Sequence, residues 1–220
     1  MIDFIQARTN MIDGQIHPAG VVDGGILDSF QNIPREEFMP DKLQSVAYTD
    51  ENLIIGQNRF LLEPIAHAKM LQAAEIKSTD IVLDIGSAYG YSAAILSSLA
   101  STVIAVESNK RQIDKAARLW EKHSLSNIVQ VENKPKIGAP KHAPYNVIVI
   151  NGAVAEVPQS ILDQLDVGGT LVTVIVEVGK QVGKAVVFRK SEDGNVSSSP
   201  IFDAGIPYLE GFEPVPEFQF

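Results

Sequence analysis

The chain has 220 residues, of which 45% are hydrophobic, and its 27 acidic against 18 basic side chains give a formal net charge of −9. This length accommodates one α/β domain with a full core but not two sizeable domains, and the acidic balance argues against nucleic acid as a partner. The sequence contains no cysteine, which excludes disulfide bonds, thiolate zinc sites and a cysteine nucleophile.

Hydrophobicity along the chain predicts neither a leader nor a membrane span. No stretch approaches about 18 consecutive apolar residues, and the N-terminal residues lack a basic region followed by an uninterrupted apolar run. We therefore expect a cytoplasmic protein that does not associate with membranes.

The first part of the chain is predicted to be helical. Apolar residues between positions 3 and 16 recur at a helical spacing until His17-Pro18 ends the pattern. Asp23 can cap a second helix that runs from Gly24 to Ile33. These features predict an N-terminal helical flank, residues 1–50, that packs on the main sheet.

A short extended segment, a helix and a buried strand come next. Leu53–Gly56 is predicted to be extended, and Pro64 is well placed to start a helix that ends near Glu75. Ile81–Ile85 is a short apolar run rich in β-branched residues, and it leads through a glycine turn into a helix that begins near Gly90. Strand, tight turn and helix form the first half of a βαβ unit.

Helices and strands continue to alternate after this unit. The next strand is Thr102–Glu107, and Asn109 can cap a helix that ends near His123. The predicted buried face of that helix comprises Ile113, Ala116, Ala117 and Trp120. The remaining predicted elements are strands at 128–132, 146–151 and 170–176, a helix from Pro158 to Leu165, and a hairpin formed by residues 185–189 and 196–202.

The glycine turn has the features of a ligand site. Glycine at positions 86 and 90 permits backbone angles that other residues resist and lets a ligand approach the main chain. The helix that follows points unpaired N–H groups at the same place. Glu107 ends the next strand, 21 positions beyond Gly86, where a carboxylate can accept hydrogen bonds from two ribose hydroxyls. The predicted ligand therefore carries a ribose.

The spacing of the turn distinguishes it from a dinucleotide site. The pattern is Gly-x-x-x-Gly rather than Gly-x-Gly-x-x-Gly, and Asp84 precedes the first glycine by two positions. A carboxylate there disfavours a pyrophosphate and suits a cationic ligand, so S-adenosylmethionine fits better than NAD. A purely structural strand-to-helix corner is the alternative interpretation of the turn.

Several segments between Met11 and Phe212 resemble the protein-L-isoaspartate O-methyltransferase family. The matching segments are Ile33–Pro40, Ala47–Asp50, Ile55–Gln57, Val82–Gly86 with Gly90-Tyr91, Val106-Glu107, Ala143–Asn146, Val157-Pro158 and Gln164–Val172. The resemblance implies a Rossmann-like methyltransferase fold: a seven-stranded, mostly parallel sheet with helices on both faces, an antiparallel C-terminal hairpin and the N-terminal flank. It also implies S-adenosylmethionine as the methyl donor and the α-carboxylate of isoaspartyl residues in a damaged protein or peptide as the acceptor.

The resemblance assigns donor-binding roles to residues of this sequence. Gly86, Ser87, Ala88 and Gly90 would line the methionine end of the donor, Asp84 would organise the turn and Glu107 would hold the ribose. Asn133 and Lys134 stand at the adenine end. Ala88 replaces the middle glycine of the family, and Lys134 replaces an aspartate that accepts from the adenine amino group, which a lysine cannot do.

The substrate loop departs from the family pattern. The family reads Gly-Gln-Thr-Ile-Ser-x-Pro, and the same span here contains Asn58, Arg59, Phe60, Leu61 and Leu62 before Glu63-Pro64, with Phe60 at the position of the threonine. In the family, the serine of this motif lies beside the acceptor carboxylate. Here Leu62 takes its position and cannot donate a hydrogen bond, so no catalytic residue is assigned. Arg59 can hold a carboxylate through two hydrogen bonds as a substitute, or it is a solvated loop charge.

These departures leave alternatives open. Leu62 and Lys134 favour a non-catalytic or acceptor-switched relative that binds or regulates a partner, whereas the residues of the glycine turn and Glu107 argue against it. A methyltransferase for base or amide nitrogens is disfavoured because residues 151–154 lack an Asn-Pro-Pro-Tyr motif. The four histidines are scattered without ligand spacing and predict no metal site.

We expect a single domain over residues 1–220. The cofactor-binding core would occupy residues 51–176, between the N-terminal flank and a C-terminal hairpin and tail over residues 177–220.

Overall fold

A computed structural model of the protein describes residues 2–56 and 59–214. The helices are α1 Phe4–Met11, α2 Gly24–Asn32, α3 Pro64–Ala74, α4 Tyr91–Ser97, α5 Lys110–Lys122 and α6 Gln159–Leu162. The strands are β1 Leu53–Gly56, β2 Arg59–Leu61, β3 Ile81–Ile85, β4 Thr102–Glu107, β5 Ile128–Glu132, β6 Tyr145–Val154, β7 Leu165–Ile175, β8 Gly183–Lys190 and β9 Val196–Ala204.

Seven strands form one sheet in the order β5-β4-β3-β6-β7-β8-β9. The strands from β5 to β7 pair in parallel, and β8 is antiparallel to both of its neighbours. The chain leaves β3 toward β4 on one side, and β6 lies on the other, so a crevice forms where their carboxyl ends diverge. This arrangement confirms the predicted fold class, including the antiparallel C-terminal hairpin.

The two faces of the sheet bury different side chains. Alternate residues of β3 show this directly, since Val82 belongs to one core and Leu83 to the other. The first core includes residues of α1 to α5, whereas the second is covered by Ile161 of α6 and by Leu209 and Phe212 of the C-terminal segment. Helices therefore lie on both faces, and the C-terminal segment completes the thinner layer.

β1 and β2 form a separate two-stranded hairpin. Leu53 pairs with Leu61 and Gly56 with Arg59, and neither strand joins the main sheet. The predicted extended segment Leu53–Gly56 is confirmed, and Asn58 lies outside the described residues.

Several sequence predictions were wrong in detail. Ala117 is exposed, and Gln112 is buried instead, because the apolar stripe of α5 follows positions 113, 116 and 120 and leaves 117 at its edge. α6 ends at Leu162, before the predicted Leu165, because Leu165 already pairs with Tyr145 as the first residue of β7.

Strand β7 begins at Leu165, before the predicted start at residue 170, so Gly168 and Gly169 lie inside it, where the pairing register with β6 shifts. Strand β6 also extends to Val154, three residues beyond the predicted end. The predicted C-terminal tail is described as far as residue 214, and residues 215–220 lie outside the described part of the chain.

Asn109 gives a direct test of how α5 begins. Its side chain accepts hydrogen bonds from the backbone N–H groups of Arg111 and Gln112. Asn109→Ala should therefore lower the free energy of unfolding by about 1 kcal/mol in urea denaturation. Asn109→Ser is the matched control, because serine also caps helices; an equal loss in both variants would contradict the capping role.

Candidate functional site

The predicted site residues meet at the carboxyl ends of β3 and β4. Gly86 follows β3 directly, and its N–H donates to the carbonyl of Val106 at 3.0 Å. The N–H of Ala88 donates to Glu107 Oε2 at 3.1 Å. The structure thus brings the glycine turn and the acidic end of β4 into direct contact, as the strand–turn–helix–strand pattern predicts.

Both glycines of the turn are required by its conformation. Gly86 and Gly90 have φ angles of 77° and 84°, in the left-handed region that favours glycine. A Cβ at Gly86 would lie 2.8 Å from a methyl carbon of Leu209, and one at Gly90 would lie 2.6 Å from the ring of Trp120. Ala88 also has a positive φ, 49°, and is buried, so the turn holds the alanine in a conformation that glycine would adopt without cost.

Asp84 lies beneath the turn and is fully buried. Its Oδ1 accepts hydrogen bonds from Ser92 Oγ and Asn151 Nδ2, both at 2.7 Å. Its Oδ2 is buried without a hydrogen-bond partner among the described residues. Burial, and secondarily the nearby charge of Glu107, raises the pKa of Asp84 to about 6. This oxygen is a buried acceptor that a proton or a cationic group can satisfy.

Glu107 is the most completely compensated charge of the site. It is 0% exposed, and its two oxygens accept from Arg59 Nε and Nη2, each at 2.8 Å. The backbone N–H groups of Ser108 and Asn109 also donate to Oε1, at 2.7 and 3.0 Å. Burial alone would raise the pKa of Glu107, but the guanidinium of Arg59 and the backbone donors lower it below the ordinary value.

Arg59 is buried, which makes the interpretation as a solvated loop charge wrong. It is 1% exposed, and the carboxylate that it holds through two hydrogen bonds is Glu107 of the same chain. Its Nη1 also donates to Glu210 Oε2 at 3.0 Å and its Nη2 to Ser108 Oγ at 3.1 Å. Arg59 therefore connects the β1–β2 hairpin to the end of β4 and to the C-terminal segment.

The rest of the substrate loop is apolar and fixed from below. Leu61 and Leu62 are buried and Phe60 is half-buried. The carbonyl of Leu62 accepts a hydrogen bond of 2.7 Å from Arg35, a fully buried residue that also donates to the carbonyl of Ala47 at 2.7 Å. Arg35 belongs to one of the segments that resemble the family, but nothing in the sequence indicates that its side chain holds the loop.

A small cavity of about 10 Å³ lies between the loop and the turn, with room for one water molecule. Polar groups of His67, Ser87 and Asn151 line it together with the apolar side chain of Leu62. Burial, and secondarily the charge of Arg35, lowers the pKa of His67 to about 3, so its imidazole is neutral. The sequence signal for Asn151 was its position as the first polar residue after a fully apolar central strand, at the sheet edge where ligands bind.

Of the two residues expected at the adenine end, Asn133 is hydrogen-bonded to the site and Lys134 is exposed. The N–H of Asn133 donates to the carbonyl of Glu107 at 3.1 Å, and its side chain donates to the carbonyl of Gly138 at 2.9 Å. Lys134 is exposed. A groove of about 300 Å³ runs beside Asn133, between Glu132 and Lys141.

Two other features are absent from the described part of the chain. Residues 2–56 and 59–214 contain no group of three or more histidine, aspartate or glutamate side chains placed to hold a metal ion. None of their helices combines the length and the hydropathy that a membrane crossing requires.

Comparison with known proteins gives a consistent result. The sequence profile described as protein-L-isoaspartate(D-aspartate) O-methyltransferase matches residues 6–204. A protein-L-isoaspartate O-methyltransferase from Methanoculleus marisnigri is 36% identical over 194 residues, which cover 88% of this chain and 87% of the relative. One from Geobacter metallireducens is 33% identical over 196 residues and covers 89% of each chain.

Solved structures agree. A protein-L-isoaspartate O-methyltransferase superposes on 93% of this chain with a TM-score of 0.80 and 25% identity, and this chain spans 66% of its length. A Plasmodium falciparum structure, in complex with S-adenosyl-L-homocysteine, has a TM-score of 0.75 over 96% of this chain and 99% of its own. Its identity is 15%, so it supports the fold alone. A profile match over most of the chain, with relatives above 30% identity, defines family membership.

The raised pKa of Asp84 predicts a specific pH dependence. Between about pH 4 and 6 the folded protein binds a proton at Asp84 more tightly than the unfolded chain, so the contribution of this group to stability falls as the pH rises. Asp84→Asn removes the buried charge with little change in shape. It should raise the free energy of unfolding at pH 7 by about 1–3 kcal/mol, and this gain should shrink as the pH falls to 4.

Urea denaturation of both proteins across this pH range tests the prediction. The quantity to compare is the difference from wild type at each pH, because His67, with its lowered pKa, changes stability in the opposite direction in both proteins. Asp203→Asn, at an exposed carboxylate, is the control. A constant difference for Asp84→Asn would show that Asp84 does not titrate in this range.

Proposed function

We propose that this chain, which belongs to the protein-L-isoaspartate O-methyltransferase family, transfers a methyl group from S-adenosylmethionine to the α-carboxylate of isoaspartyl residues in damaged proteins. The observation that carries the proposal is the family match over residues 6–204, combined with the contact between the glycine turn and Glu107 at the carboxyl ends of β3 and β4. The family relationship supports the type of reaction, and the contact between the turn and Glu107 supports the position of the methyl donor.

The residues of the turn fit the methionine end of the donor. Gly86, Ser87, Ala88 and Gly90 would line it, and the unpaired Oδ2 of Asp84 lies beneath them. An unpaired buried carboxylate oxygen favours a ligand with positive charge, which the donor carries on its sulfonium and its amino group. When bound, the donor supplies an activated methyl group.

The far end of the donor would meet Glu107, Asn133 and Lys134. Glu107 would accept from the ribose, and Asn133, whose backbone is bonded to the same strand end, would border the adenine. In the present conformation, Arg59 holds both oxygens of Glu107, so the site fits the ribose only when Arg59 has moved.

The chain's own contribution to the reaction is alignment. An ionised carboxylate is already a nucleophile, so a general base is unnecessary and the protein has to hold the two reactants in line and exclude water. The substrate loop, with the buried Leu61 and Leu62 fixed by Arg35, would form the apolar wall on the acceptor side. A non-catalytic relative is not favoured, since the relatives described above are named as methyltransferases.

The substrate class and the location follow from the same proposal. We propose a protein or peptide as the partner, a cytoplasmic location, and a single domain over residues 1–220 with its core at residues 51–176. An acidic chain with net charge −9 is consistent with a protein rather than a nucleic acid as substrate.

A matched pair of peptides tests the proposed activity. One contains an isoaspartyl residue and the other an ordinary aspartyl residue at the same position, and each is incubated with the protein and isotopically labelled S-adenosylmethionine. Alkali-labile methyl ester should form on the isoaspartyl peptide alone. If the protein binds the donor but methylates neither peptide, the acceptor belongs to another chemical class.

Leu62 provides a more specific prediction about the acceptor. Leu62→Ser places a hydroxyl where the family has one, and a hydrogen bond to a charged group contributes about 1.5–3 kcal/mol. The specificity constant kcat/KM for the isoaspartyl peptide should therefore rise about tenfold or more, mainly through KM.

Leu62→Val is the matched control, because it removes buried volume without adding a hydroxyl. Both variants should lose stability as large-to-small core substitutions do. An equal change of kcat/KM in both variants would mean that volume, not hydrogen bonding, limits acceptor binding.

A further inference from the structure

Arg59 uses the hydrogen-bonding positions of Glu107 that a ribose would need. Oε2 accepts from Arg59 Nε and from the N–H of Ala88, and Oε1 accepts from Arg59 Nη2 and two backbone N–H groups. Arg59 therefore occupies one hydrogen-bonding position on each oxygen, and these are the two positions that a pair of ribose hydroxyls would use. The backbone donors are part of the fold, so Arg59 is the group that has to leave.

We propose that Arg59 is an internal competitor for the ribose of the methyl donor, so that donor binding requires Arg59 to release Glu107. This inference rests on the proposed function, in which S-adenosylmethionine is the donor. It assigns to Arg59 control over donor affinity, in place of the role as a clamp for the acceptor carboxylate that the sequence suggested.

The position of Arg59 allows such a release. It lies on β2, which among residues 2–56 and 59–214 pairs with β1 alone, outside the seven-stranded sheet. The hairpin contacts the core through Leu53, Ile55 and Leu61, and Arg35 holds its end at Leu62, so the release takes place at the opposite end and breaks no hydrogen bond of the seven-stranded sheet. Ile54 on β1 is 68% exposed, which shows that one side of the hairpin faces solvent.

A second contact strengthens the closed arrangement. Arg59 Nη1 donates to Glu210 Oε2 at 3.0 Å, and the side chain of Glu210 is 55% exposed. The preceding residues are anchored, because Tyr208 forms a β-bridge with Ala153 and the N–H of Leu209 donates to the carbonyl of Ala153 at 2.9 Å. Glu210 therefore holds the outer edge of the guanidinium from a fixed position.

Glu107 would remain compensated after the release. The N–H groups of Ala88, Ser108 and Asn109 continue to donate to it, and the ribose hydroxyls would replace the two hydrogen bonds from Arg59. Arg59 can keep its contact with the half-exposed Glu210 or enter solvent. The exchange thus replaces one set of hydrogen bonds with another, so that both oxygens of Glu107 keep donors and the charge of Arg59 is paired with Glu210 or hydrated.

Calorimetric titration with S-adenosylhomocysteine tests the proposal, with wild type, Arg59→Met, Glu210→Gln and the control Lys184→Met. Arg59→Met keeps the length of the side chain and removes the competitor, so the dissociation constant should fall at least tenfold. Glu210→Gln weakens only the outer contact and should lower it a few-fold. Lys184→Met removes a cation from an exposed ion pair with Asp203 and should leave it unchanged.

A purely structural role for Arg59 predicts the opposite result. If Arg59→Met binds the ligand as wild type does, or more weakly, the competition is refuted while the donor assignment stands. If neither wild type nor folded Arg59→Met binds it, the proposed function fails and the inference with it.

Hydrogen exchange of the wild-type protein provides a second measurement that needs no Arg59 variant. Addition of S-adenosylhomocysteine should increase amide exchange in β1 and β2, because the hairpin has to move away from Glu107. Protection of both strands on binding would refute the release, and together with Glu210→Gln this decides the matter even if Arg59→Met does not fold.

Discussion

The buried carboxylate of Glu107 is the charge on which the arrangement of the site depends. It ends β4, accepts from the turn that follows β3, accepts again from the residues that begin α5, and pairs with Arg59 from the β1–β2 hairpin. A charge removed from water this completely has to be compensated by hydrogen-bond donors, by an opposite charge or by both. The same carboxylate therefore links the end of β4, the glycine turn, the start of α5 and the hairpin. A change in one of these elements alters the hydrogen bonds that Glu107 makes to the others.

Two carboxylates in this site have opposite surroundings. Glu107 has a cation and several backbone donors, and its pKa is lowered, whereas Asp84 has two neutral donors and one unpaired oxygen, and its pKa is raised to about 6. Of these two acids, Glu107 is bound by a guanidinium and Asp84 is not. The deficit of positive charge lies at Asp84, beneath the glycine turn, which is the place proposed for the positively charged end of the donor.

Local rules were sufficient to predict the elements that surround the site. The apolar run of β3, the glycines at 86 and 90, and the capping residue Asn109 all have the structural roles that the sequence indicates. These signals act within a few residues along the chain. The capping of α2 by Asp23, which bonds the N–H of Ile26, is another case of the same kind.

The contacts that define the closed site could not be predicted in this way. Arg59 lies 48 positions from Glu107 and 151 from Glu210, and Arg35 lies 27 positions from the carbonyl that it holds. No periodicity or motif connects such residues. The sequence therefore could not decide whether Arg59 holds a carboxylate or is a solvated loop charge. Ala117 shows that prediction also fails within a single helix. A side chain at the edge of an apolar stripe is buried or exposed according to what packs against it.

Trp120 adds an optical consequence to this architecture. It is the only tryptophan of the chain, it is 5% exposed, and its indole Nε1–H donates to the carbonyl of Gly90 at 2.9 Å while the ring covers the place where a Cβ of Gly90 would be. The tryptophan fluorescence of the protein therefore comes from one indole in contact with the turn. Its emission wavelength and intensity report on the conformation of residues 86–90 without any label.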